Sequence, residues 1–550
     1  MKARRTQSAH GPSARRGRAR DGDDDDDAGD DDGDVERGKQ LMRANGTTQK
    51  TSRRRKCSKL LTLMTCNACA LSSVALVGVI IVLVLVNYEK LTHPETYKMF
   101  DSARGVFEWN VEERLSLLRG FKSEYAAPAR ERDVYGLRRV DAMCASGVEW
   151  ALNPASGYES VNALCEDLRA LPSALKLFSL RLSLTTRFKY WLAEFVPHFN
   201  RGYGVETFLA NQIARGVFTA TKIKDATAIF VPVRPYLQRI LTLESYAPRD
   251  PLRGTNKNFE VRESIRRALG RDIEWIKRTQ PNEWNAKGKC GRVILTNIDI
   301  GLSAFDKSDV EIRNDAVVIV GNSEVPAERA EDIANEGRQQ SAIEAGYNPL
   351  KDVAIWFGMS AYLPRAAVEL GALRPEKTRQ IELSFRGSML RGAVRQAVMP
   401  KLIKIGDSLT GNRVWDLKAQ GQEKPKDYMN LLASSKYCLY LYGDRAHTSR
   451  LYDVVTFGCV PVVVADNYEL PFSWLLDWSK FSISVKERDV DRMGEILSAA
   501  DHASLQRELF KVHSFLQYHE SPIFGDAFWI TMLGVRRQLD RCALAKQQIT

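Results

Sequence analysis

The sequence predicts an α/β protein with two domains on parallel sheets, a cleft between them, and one membrane-spanning helix ahead of both. Three observations predict it. Short apolar runs alternate with amphipathic stretches in two successive blocks, the pattern of parallel strands with helices on both faces. The 550 residues are too many for one compact domain, and a hydrophobic content of 44% against 27% charged supplies large cores. Finally, Leu60 to Val86 contains no charged residue and suffices to cross ~30 Å of hydrocarbon as a helix.

The elements follow in chain order. Residues 1–59 read as a disordered tail: Arg15, Arg16, Arg18 and Arg20 precede an aspartate run, and few large apolar residues offset the ordering entropy. The apolar span that follows lies too deep in the chain for a cleaved signal peptide. Lys50, Arg53, Arg54, Arg55, Lys56 and Lys59 precede it, so the positive-inside rule puts the N-terminus in the cytosol and everything after Val86 in a lumen or outside the cell. A stem is expected over 87–132. The first block then offers strands over Ile229–Val233, Arg292–Thr296, Ala316–Val320 and Asp352–Phe357, with helices over Glu206–Arg215 and Phe259–Arg278. The second runs from Ile381 to about Ala500.

Charge and cysteines exclude several classes. The formal charge is +12, with 16 Lys/Arg against 11 Asp/Glu in the first 59 residues, so the rest is only mildly basic. That favours phosphates or acidic glycans weakly. No dense basic stripe points to nucleic acid. Of the nine cysteines, Cys57, Cys66 and Cys69 lie in or beside the apolar span; none of the other six has zinc-site spacing, and disulfide pairing is left open. No Gly-x-Ser-x-Gly or His-Glu-x-x-His appears, which removes the common hydrolase readings. Asp489-Val490-Asp491 has a metal–diphosphate form, but it follows a strand and opens a helix over Arg492–Ala499, so capping explains it.

The chemistry is expected between Tyr437 and Phe481. Tyr437–Tyr442 reads as a buried strand, Gly443–Thr448 as a loop containing His447, Ser449–Phe457 as a helix capped by Thr448 or Ser449 and stopped by Gly458, and Cys459–Val464 as the next strand. Ligands of open α/β sheets bind at the carboxyl ends of strands, where this loop sits. Arg450 opposes the dipole of its own helix start, an awkward position that a bound anion would reverse. A diphosphate fits, and Asp453, about one turn on, suits the hydroxyls of a ribose. On spacing alone, an ordinary Arg450–Asp453 pair reads equally well.

The stretch Ser449-Arg450-Leu451-Tyr452-Asp453, then Gly458-Cys459-Val460-Pro461-Val462-Val463 and Leu470-Pro471-Phe472, resembles the exostosin-like glycosyltransferases, whose Ser-x-Arg-x-x-Glu-Ala helix leads into Gly-Cys-x-Pro-Val. Tyr203-Gly204-Val205-Glu206, Phe230-Val231-Pro232, Lys351-Asp352-Val353, Phe385-x-Gly387 and Arg395 match in the same order, over roughly Phe188 to Ala500. The resemblance implies a GT-B fold. Its two Rossmann-like domains would be an acceptor-side domain over 133–375 and a nucleotide-sugar-binding domain with terminal helices over 376–550. It also implies inverting transfer to a glycan in the Golgi, with the nucleotide sugar as substrate and no metal or other cofactor required. By this resemblance Arg450 holds the diphosphate and Asp453 the ribose, with Ser449, Gly443 and His447 in the same loop and Arg386 and Arg395 adding positive charge. Asp replaces the usual Glu at 453. Where many members carry His-Asp-Trp-Gly, this chain has Ile298-Asp299-Ile300-Gly301, leaving Asp299 as the candidate general base. Homo- or hetero-oligomer formation is left open.

Overall fold

The computed structural model describes residues 149–194, 205–245, 257–298, 300–325, 346–356, 370–374, 377–389, 392–409, 413–419, 425–443, 445–519 and 522–547, together with positions 144, 343, 366 and 367. The tail, the apolar span of 60–86 and the stem lie outside them. Among the described residues no helix is long and apolar enough to cross a membrane.

Two parallel sheets carry the fold. The first contains β1 (Leu177–Ser179), β2 (Ala228–Val231), β3 (Arg292–Thr296), β4 (Val317–Val320) and β5 (Val353–Ala354), paired in that order. The strand expected over Arg292–Thr296 is β3 itself, and its neighbours differ from expectation only at their ends. Strands β2, β3 and β4 are buried along their whole length because both faces are covered. Alternation along them divides the core. Phe230, Val293, Leu295, Val317 and Ile319 enter one cluster, whereas Ile229, Val231, Ile294, Val318 and Val320 enter the other. The strand expected over Asp352–Phe357 is shorter than its apolar run. Asp352 instead turns its carboxylate to the backbone, accepting from Val318 N at 3.1 Å and Asn348 N at 2.9 Å.

The second sheet contains β6 (Ile381–Gly387), β7 (Trp415–Ala419), β8 (Ser435–Leu441), β9 (Val460–Val464) and β10 (Ile483–Ser484) in the order β10-β9-β8-β6-β7. All neighbours are parallel. Strand order reverses between β6 and β8, so the connections leave in opposite directions there and open a crevice at the carboxyl ends. The first sheet runs in chain order and has no such point.

The last helix, Ala527–Gln547, leaves the second sheet and packs on β4 and β5 of the first. Gln538 Nε2 donates to the carbonyls of Asp352 and Pro349 at 2.8 and 3.1 Å, and Cys542 is disulfide-bonded to Cys290. The bonds Cys144–Cys165 and Cys438–Cys459 complete the pairing of the six cysteines beyond the apolar span.

Candidate functional site

The site grows from the switch point. Strand β8 ends at Leu441, and the chain crosses a loop before the helix α1 (Arg450–Thr456). Thr448 Oγ1 accepts from Arg450 N at 3.1 Å, so Thr448 rather than Ser449 caps this helix. The helix stops at Gly458, whose φ of +59° lies in the left-handed region that favours glycine, and Cys459 N closes onto Val454 O at 3.1 Å. Its inner face buries Leu451, Tyr452, Val454 and Val455. Tyr452 Oη donates to Gln517 at 3.0 Å, and buried His513 meets the Thr456 carbonyl at 3.3 Å. Arg379 donates to the Phe457, Ala372, Leu432 and Ser435 carbonyls at 2.7 to 3.0 Å. These contacts fix the helix axis.

Arg450 reaches back to β6. Its guanidinium carbon lies 4.6 Å from the centroid of the Phe385 ring, and Arg395 lies 5.7 Å from the same centroid. Two cations thus lie against one aromatic ring. Arg395 also donates to the Leu441 and Ser388 carbonyls at 3.2 and 3.3 Å. Arg450 Nε and Nη1 are buried without a hydrogen-bond partner among the described residues, so the ordinary pair with Asp453 does not form. Glycines clear the space around both guanidinium groups. A Cβ on Gly387 would sit 2.5 Å from Arg450 Nη2, and one on Gly443 would sit 2.8 Å from Arg395 Nη2. Gly392, at φ +85°, lets its backbone pass directly against the Gly443 carbonyl.

Asp453 accepts from Tyr428 Oη at 3.1 Å, on the helix α2 (Pro425–Ser434). Burial pushes its carboxyl up to about 6, with the Tyr428 hydrogen bond and the Arg450 charge pulling the other way. This sets a carboxylate and a guanidinium about one helical turn apart, with a phenol from a second helix on the carboxylate. Such a set can accept sugar hydroxyls and bind an anion together.

The other expected residues distribute unevenly. Gly443, Ser449, Arg395, Arg450 and Asp453 converge on the switch point, and His447 is buried in the same loop. Arg386 does not join them. Alternation along β6 turns it to the face opposite Phe385, where it pairs with Asp416 Oδ2 at 2.7 Å. Asp299 lies outside the described residues. Asp489 and Asp491 fall in a 3-10 turn, Glu487–Arg492, ahead of the helix, and Asp491 pairs with Lys401 at 2.8 Å. No group of three or more His, Cys, Asp or Glu among the described residues is placed to hold a metal ion.

Sequence reasoning missed Tyr428 as a site residue, because a tyrosine in an amphipathic helix carries no local signal. It also missed Phe385 as a platform, although period-2 alternation on β6 separates it from Arg386. Glu324, two positions after a buried Asn322 beyond β4, was missed as well.

Residues 175–500, more than half of the chain, match the family model for the exostosin GT47 domain. A probable glucuronoxylan glucuronosyltransferase of Arabidopsis thaliana is 32% identical over 181 residues, covering 30% of this chain and 38% of that protein. A probable glucuronosyltransferase of Oryza sativa subsp. japonica is 29% identical over 140 residues, 24% of this chain and 32% of that protein. Exostosin-2 of Bos taurus is 36% identical over 85 residues, 16% of this chain and 12% of that protein. The matched stretches thus span well under half the length of these relatives. With the family match extending across both sheets and the switch-point loop, the chain belongs to the exostosin GT47 family.

Proposed function

We propose that this protein is an inverting glycosyltransferase that takes a sugar from a nucleotide-sugar donor, a UDP-sugar, and transfers it to a polysaccharide or glycoprotein glycan in the Golgi lumen. The observation that carries the reading is Arg450, held over Phe385 with two guanidinium nitrogens unpartnered at the point where strand order reverses. A desolvated guanidinium with unused donors is suited to a phosphate. The guanidinium carries the argument rather than the helix dipole, because Arg450–Thr456 is short. In this reading Arg450 and Arg395 face the diphosphate, and Asp453 takes the ribose hydroxyls. Gly443 and Gly387 let backbone and phosphate approach. Ser449 and His447 belong to the loop around the phosphates, and Asp299 takes the acceptor proton.

The names of the relatives favour a glucuronosyl donor. Three disulfides suit an oxidising lumen, and the charge-free 60–86 segment behind a basic flank suits a type II anchor. The activity is expected to need no metal: Asp489-Val490-Asp491 lies in a 3-10 turn, with Asp491 paired to Lys401.

The test is a nucleotide-sugar panel on the full-length protein in detergent, read by thermal shift and by transfer, with and without chelator. A bound donor raises the melting temperature by mass action. UDP-glucuronic acid is expected to stabilise most and to be unaffected by chelator. Absence of any nucleotide effect would remove the donor-site reading. Activity that disappears with chelator and returns with manganese would remove the metal-free one.

A further inference from the structure

The segment after β4, 321–325, leaves the first sheet and inserts into the loops of the second. Glu324 bridges antiparallel to Tyr468. Val325 N donates to Asn467 O at 2.9 Å, and Glu469 N to Ser323 O at 3.1 Å. Ser323 Oγ donates to Glu469 O at 2.6 Å. Asn322, Ser323 and Glu324 are all buried by this contact.

Within it, the Glu324 carboxylate reaches the loop that follows β8. It accepts from Ala446 N at 2.6 Å and stands 3.8 Å from Arg445 Nη1. The carbonyl of Ala446 is held from the other side by Tyr440 Oη, and the Tyr440 ring stacks on Tyr468 at 6.1 Å between centroids. One residue in the middle of the switch-point loop, Ala446, is therefore held at both its N–H and its C=O, on the two peptide units that flank its Cα. Gly443, whose missing side chain admits Arg395, lies just before it. Thr448, which starts the Arg450 helix, lies just after.

We propose that Glu324 is a positioning residue for the donor site: from the acceptor-side sheet it fixes the Ala446 peptide, so that donor binding depends on the two sheets being packed together. This rests on the reading of the 443–450 loop as the donor site. The physical reason is that a buried N–H without an acceptor is costly, so the loop keeps this path only while the carboxylate from the other sheet is present. Deep burial and an existing partner on the loop distinguish Glu324 from a group that touches substrate. Its effect passes through the backbone that carries Arg450.

The experiment measures UDP affinity by calorimetry, melting temperature, and kcat and KM for donor and acceptor on the full-length protein. Glu324→Ala is expected to weaken UDP binding by at least about tenfold, the loss that follows when a buried donor is left unpaired, with donor KM rising and acceptor KM unchanged. Glu324→Gln, which still offers an oxygen to Ala446 N, is expected to restore most of the affinity and kcat. Should Glu324→Ala fail to fold, Glu324→Asp, which keeps the charge but falls short of the amide, is expected to show the same weakened binding. Wild-type UDP affinity in the folded Ala or Asp variant would reduce Glu324 to a brace and overturn the proposal. Loss of kcat in Glu324→Gln as complete as in Glu324→Ala would also overturn it, by making the charge itself essential. If the wild-type protein binds no UDP, the donor-site reading falls first and takes this inference with it.

Discussion

Arg450 and Phe385 come from different elements of the second sheet, yet the guanidinium carbon of one lies 4.6 Å from the ring centroid of the other. The ring fixes the plane of the cation without consuming its hydrogen-bond donors. Arg450→Ala is therefore expected to weaken donor binding and transition-state stabilisation by about 2–5 kcal/mol if the site is desolvated. The folded apo protein should hardly suffer, since a cation is removed from the start of a helix. Arg450→Lys should rescue only in part, because an ammonium cannot reproduce the fork. Calorimetric nucleotide affinity alongside melting temperature checks this. An unfolded Arg450→Ala, or unchanged binding, would make Arg450 structural.

Two glycines near this pair should behave differently. Alanine at Gly387 would bring a Cβ within 3.0 Å of Phe385 Cζ and closer still to Arg450 Nη2. The mobile end of a side chain can yield there. Gly387→Ala is expected to lower donor affinity several-fold with little change in melting temperature. Gly392→Ala meets a backbone carbonyl at φ +85°. It should destabilise the domain by about 1–3 kcal/mol. Equal stability of the two variants in a denaturant titration would contradict this.

Asp453 gives a pH signature. Its ordinary carboxyl value is 3.8, and burial raises it to about 6 in the folded protein. Between those values the folded state holds the proton more tightly than the unfolded state. Stability contributed by this group is thus present at low pH and lost as pH rises through about 6. Asp453→Asn should melt higher than wild type at pH 7.5, with the difference vanishing below about pH 4. Donor affinity should run the opposite way in wild type, falling on the acid side as the carboxylate proposed to bind the ribose protonates. The variant should lack that acid limb. A limb of the same position in Asp453→Asn would assign it to another group.

The Cys438–Cys459 bond joins strand β8 to the residue just before β9 and encloses the entire switch-point loop and its helix, at a sequence separation of 21. Closing a loop of that size removes about 3 kcal/mol of freedom from the unfolded chain. Paired Cys438→Ala and Cys459→Ala changes should lower stability by about that amount in chemical denaturation. A maleimide mass assay on the denatured, unreduced wild-type protein should find none of the six cysteines from Cys144 to Cys542 reactive.

Much of the frame was legible in the sequence. The strand expected over Arg292–Thr296 is in place, and the one expected over Cys459–Val464 differs by one residue, since a strand buried on both faces needs only its own residues to announce it. The turn from β8 into the Arg450 helix and its stop at Gly458 were equally readable, because caps and stops depend on neighbours a few positions away. The sequence therefore placed Arg450 and Asp453 beside one loop. Only the tertiary structure decided what surrounds them. The reversed strand order that opens the crevice, Phe385 beneath the guanidinium, Tyr428 on the carboxylate, Glu324 reaching over from the other sheet and the three disulfide partners are all long-range pairings. Each joins segments whose local patterns are complete without it. Periodicity assigned Arg386 a face but not a partner, and only the placement of β7 beside β6 gave that arginine to Asp416, while Arg450 and Arg395 pack on Phe385.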